Sequence, residues 1–232
     1  MKRSTNEQTL LAVARSLPSN LQKQVVFLGG SVVSLLISDP GFIGIRPTQD
    51  VDVIIDANRR DYHRFEEALR SAGFHQVIDE DPPVICRWRI NSVLVDIMPC
   101  DPDILGFSNK WYSAAIKKSQ QRLLEGIKIN VITAPYFLAT KAEAFLGRGK
   151  NDFMASSDME DIITLLDGRS EVISEIKASE KSLKTYLIKV FESWLNKNAF
   201  LDCLPGHLRS DMASQERLPI ILERIKSIIN LK

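Results

Sequence analysis

Three aspartates on two strand-like segments are the residues whose types and spacing could do chemistry. Asp50 and Asp52 open the segment DVDVIID, and side chains two apart on a strand face the same way, so their carboxylates should converge. Asp96 lies in a later strand-like run, SVLVDIM. If the two strands are neighbours, three carboxylates meet at one sheet edge and could hold Mg²⁺ or Mn²⁺ for phosphoryl transfer.

Each of these aspartates also has a structural interpretation. Asp50 and Asp52 could be two solvated acids at the exposed start of a strand. Asp96 stands in an apolar run, where an ion is costly to bury without a partner. Arg87 or Arg89 from the neighbouring strand could pair with it.

A second candidate is the turn Gly29-Gly30-Ser31, between the strand-like VVFL and the helix-like SVVSLLIS. Glycines let the backbone approach a ligand closely, and a helix N-terminus offers unpaired N–H groups to a phosphate. The Ser31 hydroxyl could donate a further hydrogen bond. The alternative is that Ser31 only caps the helix after a tight turn.

The third candidate is a pair of helical motifs. Lys141, Ala144 and Arg148 are spaced to share one helix face, and Asp158 and Asp161 stand three apart on the next predicted helix. The two cations could hold triphosphate charge, with Ala144 leaving room for it. An ion-pair network between two packed helices is the alternative.

The order of these motifs resembles that of the polymerase-β-like nucleotidyltransferase superfamily. The matching series is the GGS turn at 29–31, the DVD at 50–52 preceded by Arg46 and Thr48, and Asp96 on a later strand. The helical motifs at 141–148 and 158–161 resemble the third and fourth motifs of AbiEii-type nucleotidyltransferases, the toxins of abortive-infection and toxin–antitoxin systems. Between Ser31 and Asp50 lie 18 residues, more than in the compact form of the motif.

The resemblance implies an α+β fold: a mixed sheet with flanking helices, then a C-terminal helical domain that completes the active site. It implies transfer of NMP from an NTP, with Asp50, Asp52 and Asp96 as metal ligands. Lys141 would bind the phosphates and Asp161 would act as base or positioning group, while Arg148 and Asp158 would help bind the nucleotide. RNA or tRNA is the implied acceptor, and an antitoxin the implied partner.

Two other functions remain open at this point. A small-molecule nucleotidyltransferase of the aminoglycoside-resistance kind would modify a drug and leave RNA untouched. A non-catalytic nucleotide-binding module would bind NTP and release no pyrophosphate.

The elements that must position these residues divide the chain near residue 132. Strand-like runs at 25–28, 50–56, 84–90, 92–98 and 127–133 alternate with predicted helices at 5–16, 31–38, 58–72 and 109–124. Beyond them the predicted helices are 136–147, 157–167, 171–178, 180–197 and 216–230. We therefore predict an α/β nucleotidyltransferase domain over 1–132 and a helical domain over 133–232.

Composition sets the broad class. The 232 residues are 44% hydrophobic and 25% charged, with a net charge of +1, as in ordinary globular proteins. The stretch 106–150 carries eight Lys and Arg against two acidic residues, which is compatible with RNA. Three scattered cysteines suggest neither disulfides nor zinc. No signal peptide or membrane span is evident, so a cytoplasmic location is expected.

Overall fold

The computed structural model describes residues 5–42, 44–78 and 84–231, which form two compact units. The first unit comprises residues 1–35 and 46–133, and the second comprises residues 36–45 and 134–232. The first contains a mixed sheet with flanking helices, and the second is helical. The predicted α+β class is therefore confirmed.

A seven-stranded sheet organises the first unit. Its strands, in chain order, are β1 (Val25–Leu28), β2 (Asp50–Ile55), β3 (His75–Gln76), β4 (Arg87–Ile90), β5 (Val93–Pro99), β6 (Gln120–Leu124) and β7 (Ile127–Val131). They lie side by side in the order β3-β4-β5-β2-β1-β7-β6. The β2–β5 and β1–β7 pairs are parallel and the others are antiparallel. The central strands are thus β5, β2 and β1.

The alternation of β2 explains why it presents carboxylates on one side. Val51 and Val53 are fully buried, while Asp50 and Asp52, which alternate with them, are only half-buried. Because successive side chains point to opposite faces, the valines hold β2 in the core and leave both aspartates on the other face.

Helices flank the sheet. In the first unit they are α1 (Thr5–Ser16), α2 (Ser19–Gln22), α3 (Val33–Leu36), α4 (Arg59–Ser71), α5 (Pro102–Leu105) and α6 (Tyr112–Lys117), where α3 ends one residue beyond the unit's boundary. The longest, α4, is capped by the preceding residue, Asn58, whose side chain accepts from two backbone N–H groups of the first turn. Such a cap satisfies donors that have no partner within the helix.

The second unit packs its helices around aromatic side chains. The helices of this unit are α7 (Ala134–Arg148), α8 (Ser157–Gly168), α9 (Val172–Ala178), α10 (Lys181–Leu195), α11 (Asn198–Cys203), α12 (Met212–Gln215) and α13 (Leu218–Ile229). Trp194 contacts Phe145 and Phe191 edge-to-face, with centroids 5.5 Å apart in each pair. Within the described residues, no helix is long and apolar enough to cross a bilayer.

The segment 36–45 explains the long separation of Ser31 from Asp50. The backbone N–H groups of Ser38 and Asp39 both donate to the Gly168 carbonyl at 3.0 Å. Arg217 joins Asp39 at 2.8 Å to Asp167 at 2.7 Å. The extra residues therefore belong to the second unit.

Two predicted helices differ from the structure. Residues 109–124 were expected to be helical, but α6 ends at Lys117 and residues 120–124 form β6. Glu125 and Gly126 both have positive φ, which is the conformation of a tight two-residue hairpin turn, and this turn pairs β6 with β7. The helix expected over 31–38 is reduced to a 3₁₀ turn at Gly30–Val32 and the single turn of α3.

Candidate active site

The strand register brings the three aspartates together on one face of the sheet, on the central strands β2 and β5. Asp52 on β2 and Asp96 on β5 are direct Cα partners in the parallel pair. Neighbouring strands lie about 4.8 Å apart, so these two side chains stand side by side on one face. Asp50, two residues earlier on β2, lies on the same face. The arrangement gathers negative charge from two separate segments of the chain.

The glycine turn lies against the Asp52 carboxylate. Leu28, the last residue of β1, pairs with Asp52, so Gly29 begins the turn directly beside it. Gly29 has φ 73° and ψ −170°, a combination open in practice only to glycine. A Cβ at Gly29 would stand 1.8 Å from Oδ2 of Asp52. The Asp52 carboxylate therefore occupies the space that a side chain at position 29 would need.

This close contact predicts the effect of Gly29→Ala. The added methyl group must displace the Asp52 carboxylate, so we expect any activity that depends on Asp52 to be lost and the free energy of unfolding to fall. Gly106→Ala is the matched control, because Gly106 also has positive φ, 77°, but open space around the position of a Cβ. The control should cost about 1–2 kcal/mol from backbone strain. Gly29→Ala should cost more than about 1 kcal/mol beyond that. Equal losses in urea denaturation and equal activities would contradict the contact.

Ser31 bonds to its own turn in this structure. Its side chain is fully buried, and its hydroxyl donates to the Leu28 carbonyl at 3.3 Å. The hydroxyl thus stabilises its own turn. A contact between Ser31 and a phosphate stays a prediction.

Arg87 on β4 places a cation beside these carboxylates. It is the cross-strand partner of Asp96 and binds both of its oxygens, through Nε at 2.8 Å and one terminal nitrogen at 2.9 Å. The same nitrogen reaches Oδ2 of Asp50 at 3.3 Å. A bidentate Arg–carboxylate pair is strong and geometrically specific. The ion pair that the sequence left open as an alternative for Asp96 is therefore present.

The donor set fits a magnesium ion held by few protein ligands. No three Asp, Glu, His or Cys side chains within residues 5–42, 44–78 and 84–231 form a ready-made metal cluster. Mg²⁺ often takes only one or two carboxylates together with substrate phosphates. Asp50 and Asp52 supply such oxygens on one face beside the glycine turn. The role of Asp96 as a third ligand stays a prediction.

Asn6 of α1 holds the segment that leads into β2, and sequence reasoning missed it. Its amide nitrogen donates to the Arg46 carbonyl at 2.9 Å, and its amide oxygen accepts from the Thr48 N–H at 3.0 Å. Asn6 is buried. It thereby fixes the backbone two residues before Asp50. The available signal was the helical spacing that places Asn6 on the same face as the apolar Leu10 and Val13.

The helical motifs form a buried ionic cluster within the second unit. Nζ of Lys141 lies 3.1 Å from Asp158 and 2.6 Å from Asp161, and Arg148 also bonds Asp158. Burial alone would raise the pKa of Asp158, but Lys141 and Arg148 outweigh it and lower the pKa. These are the residues for which an inter-helix network was the alternative to nucleotide binding. Their contact with a nucleotide stays a prediction.

Two of the described cysteines, Cys86 and Cys100, are poor nucleophiles. Burial raises the pKa of both Cys86 and Cys100 to about 12, and the Asp96 charge adds to the effect at Cys86. Since the thiolate is the reactive form, neither cysteine suits nucleophilic catalysis at neutral pH. A cavity of about 200 Å³ lies within the second unit. Its charged groups include Arg217 paired with Asp167.

Comparison with solved structures supports the fold. JHP933 from Helicobacter pylori matches with a TM-score of 0.50 and 14% identity, over 97% of this chain and 90% of its own. An antigenic nucleotidyltransferase-like protein from Paracoccidioides brasiliensis matches with a TM-score of 0.49 and 19% identity, over 86% and 94%. At this identity the first likeness concerns the fold alone, and the second, below 0.5, carries no argument. No family model and no curated protein matches the chain.

Proposed function

We propose that the chain is a divalent-metal-dependent nucleotidyltransferase, which transfers NMP from an NTP to an acceptor hydroxyl and releases pyrophosphate. The observation that carries this proposal is the placement of Asp52, in register with Asp96 and packed against Gly29. Clustered carboxylates beside a glycine turn suit a reaction whose catalysis depends on positioning and charge neutralisation.

The chain's own residues have separate tasks in this proposal. Asp50 and Asp52 would hold Mg²⁺, which when bound neutralises phosphate charge. The turn at 29–31 would bring its backbone N–H groups to the triphosphate, since no side chain stands at Gly29 or Gly30. Asn6 would act as a positioning residue through the backbone at Arg46 and Thr48.

The proposed acceptor is RNA, with the toxin role and the antitoxin partner that the AbiEii resemblance implies. Exposed cations of the first unit support an RNA acceptor: Lys110, Lys117, Lys118 and Lys128. Lys141 and Arg148 lend no such support, because they pair with aspartates of their own unit. The basic stretch is thus smaller as an RNA surface than its sequence indicates.

A second candidate is a nucleotide-binding module without catalysis. The observation that favours it is the bidentate bond between Arg87 and Asp96, which neutralises one of the three carboxylates. Such a module would bind NTP without releasing pyrophosphate.

A labelling experiment tests these proposals. The purified chain is incubated with each α-labelled NTP, Mg²⁺ and separate pools of total RNA, protein and aminoglycosides. We expect label in RNA, and growth arrest when the chain is expressed in bacteria. Label in the aminoglycoside pool alone would identify a small molecule, and not RNA, as the acceptor. Label in no pool would favour the non-catalytic module.

A further inference from the structure

Arg87 lies between two of the carboxylates that are proposed to bind the metal ion, Asp96 and Asp50. It is only 18% exposed, and its guanidinium contacts both Asp96 and Asp50. Asp96 is buried, so water screens this pair weakly. The chain therefore carries its own counter-cation among the proposed ligands.

We propose that Arg87 competes with the divalent ion for these carboxylates and sets the metal affinity of the site. A guanidinium fork and a metal ion use the same carboxylate lone pairs, so Asp96 cannot serve both fully. The positive charge of Arg87 also repels a cation bound at Asp50 or Asp52. Metal enters through Asp50 and Asp52, and Asp96 joins only when the guanidinium moves away. This inference rests on the metal-binding part of the proposed function.

Direct Mn²⁺ titration tests the competition, with free Mn²⁺ followed by electron paramagnetic resonance and no nucleotide or acceptor present. Removal of a positive charge a few ångströms from the metal should make Arg87→Gln bind Mn²⁺ at least about tenfold tighter than the natural chain. Arg89→Gln is the matched control, since Arg89 lies exposed two residues along the same strand and should bind like the natural chain. Asp52→Asn should bind much more weakly. Equal or weaker binding by Arg87→Gln overturns the proposal.

A second variant covers the case in which Arg87→Gln does not fold, because it leaves the buried Asp96 without its fork. Arg87→Lys keeps the charge and loses the bidentate geometry, so its Mn²⁺ affinity should lie between those of the natural chain and Arg87→Gln. Mn²⁺ should also raise the unfolding temperature of either Arg87 variant more than that of the natural chain. If Arg87→Gln is unfolded, an Arg87→Lys affinity no tighter than natural overturns the proposal.

The outcome separates this inference from the proposed function. Tighter Mn²⁺ binding by Arg87→Gln without any nucleotidyl transfer would remove only the proposed function. Transfer by the natural chain with unchanged Mn²⁺ affinity in Arg87→Gln would remove only the inference. Absence of Mn²⁺ binding in every variant would overturn both.

Discussion

Replacing Asp52 by Asn is expected to lower the rate of nucleotidyl transfer by about 1000-fold. The amide keeps the shape of the side chain beside Gly29 but removes the negative charge that would hold the metal. Asp52 is half-buried at the start of β2, so the fold should tolerate the change. The measurement is transfer of labelled nucleotide at saturating Mg²⁺, together with urea denaturation of each variant.

Asp56→Asn is the matched control for this substitution. Asp56 directly follows the last residue of β2 and is exposed, so it loses the same charge from the far end of the same strand. Its activity should stay within about twofold of the natural chain, as for a surface substitution away from the site. Similar activities in Asp52→Asn and Asp56→Asn would contradict the assignment of the cluster of Asp50, Asp52 and Asp96 as the active site.

Replacing Lys141 by Met is expected to lower the free energy of unfolding by about 3–5 kcal/mol. Lys141, Asp158 and Asp161 are all buried, and the substitution leaves two carboxylates with one fewer cation among them. Urea denaturation followed by circular dichroism measures the loss. A loss of activity in such a variant therefore cannot by itself assign Lys141 to the nucleotide.

Arg148→Met is the control for the ionic cluster. Its side chain bonds the same Asp158 but is 73% exposed, so its removal should cost less than about 1 kcal/mol. Adding Asp161→Asn to Lys141→Met should recover part of the stability, because one of the two buried charges is then removed. Equal stability of the Lys141→Met and natural chains would show that Lys141 contributes no net stability through the cluster.

The central sheet could be predicted from the sequence because its signals are local. The apolar run of β1, the alternation of β2 and the Asn91 turn between β4 and β5 each determine their own segment. The sequence left open whether β2 and β5 are neighbours. Given that pairing, the convergence of Asp52 and Asp96 follows from the period of a strand.

The features that could not be predicted depend on contacts between distant residues. The packing of Asp52 against Gly29 depends on strand register, and the choice of Arg87 over Arg89 depends on which residue lies opposite Asp96. The place of segment 36–45 in the second unit depends on bonds to Gly168 and Arg217.

The prediction for strand β6 was wrong for a different reason. Its sequence, QQRLL, shows no alternation of apolar and polar residues, and it is an edge strand paired only with β7. The two-residue turn that creates the pairing was the one local sign of it.

The fate of the NTP phosphates tests the central claim most directly. Parallel reactions with α-labelled and γ-labelled NTP, Mg²⁺ and RNA should place the α-label on the acceptor and the γ-label in pyrophosphate, in equal amounts. A γ-label on the acceptor, or no pyrophosphate at any NTP, would contradict nucleotidyl transfer at Asp50 and Asp52.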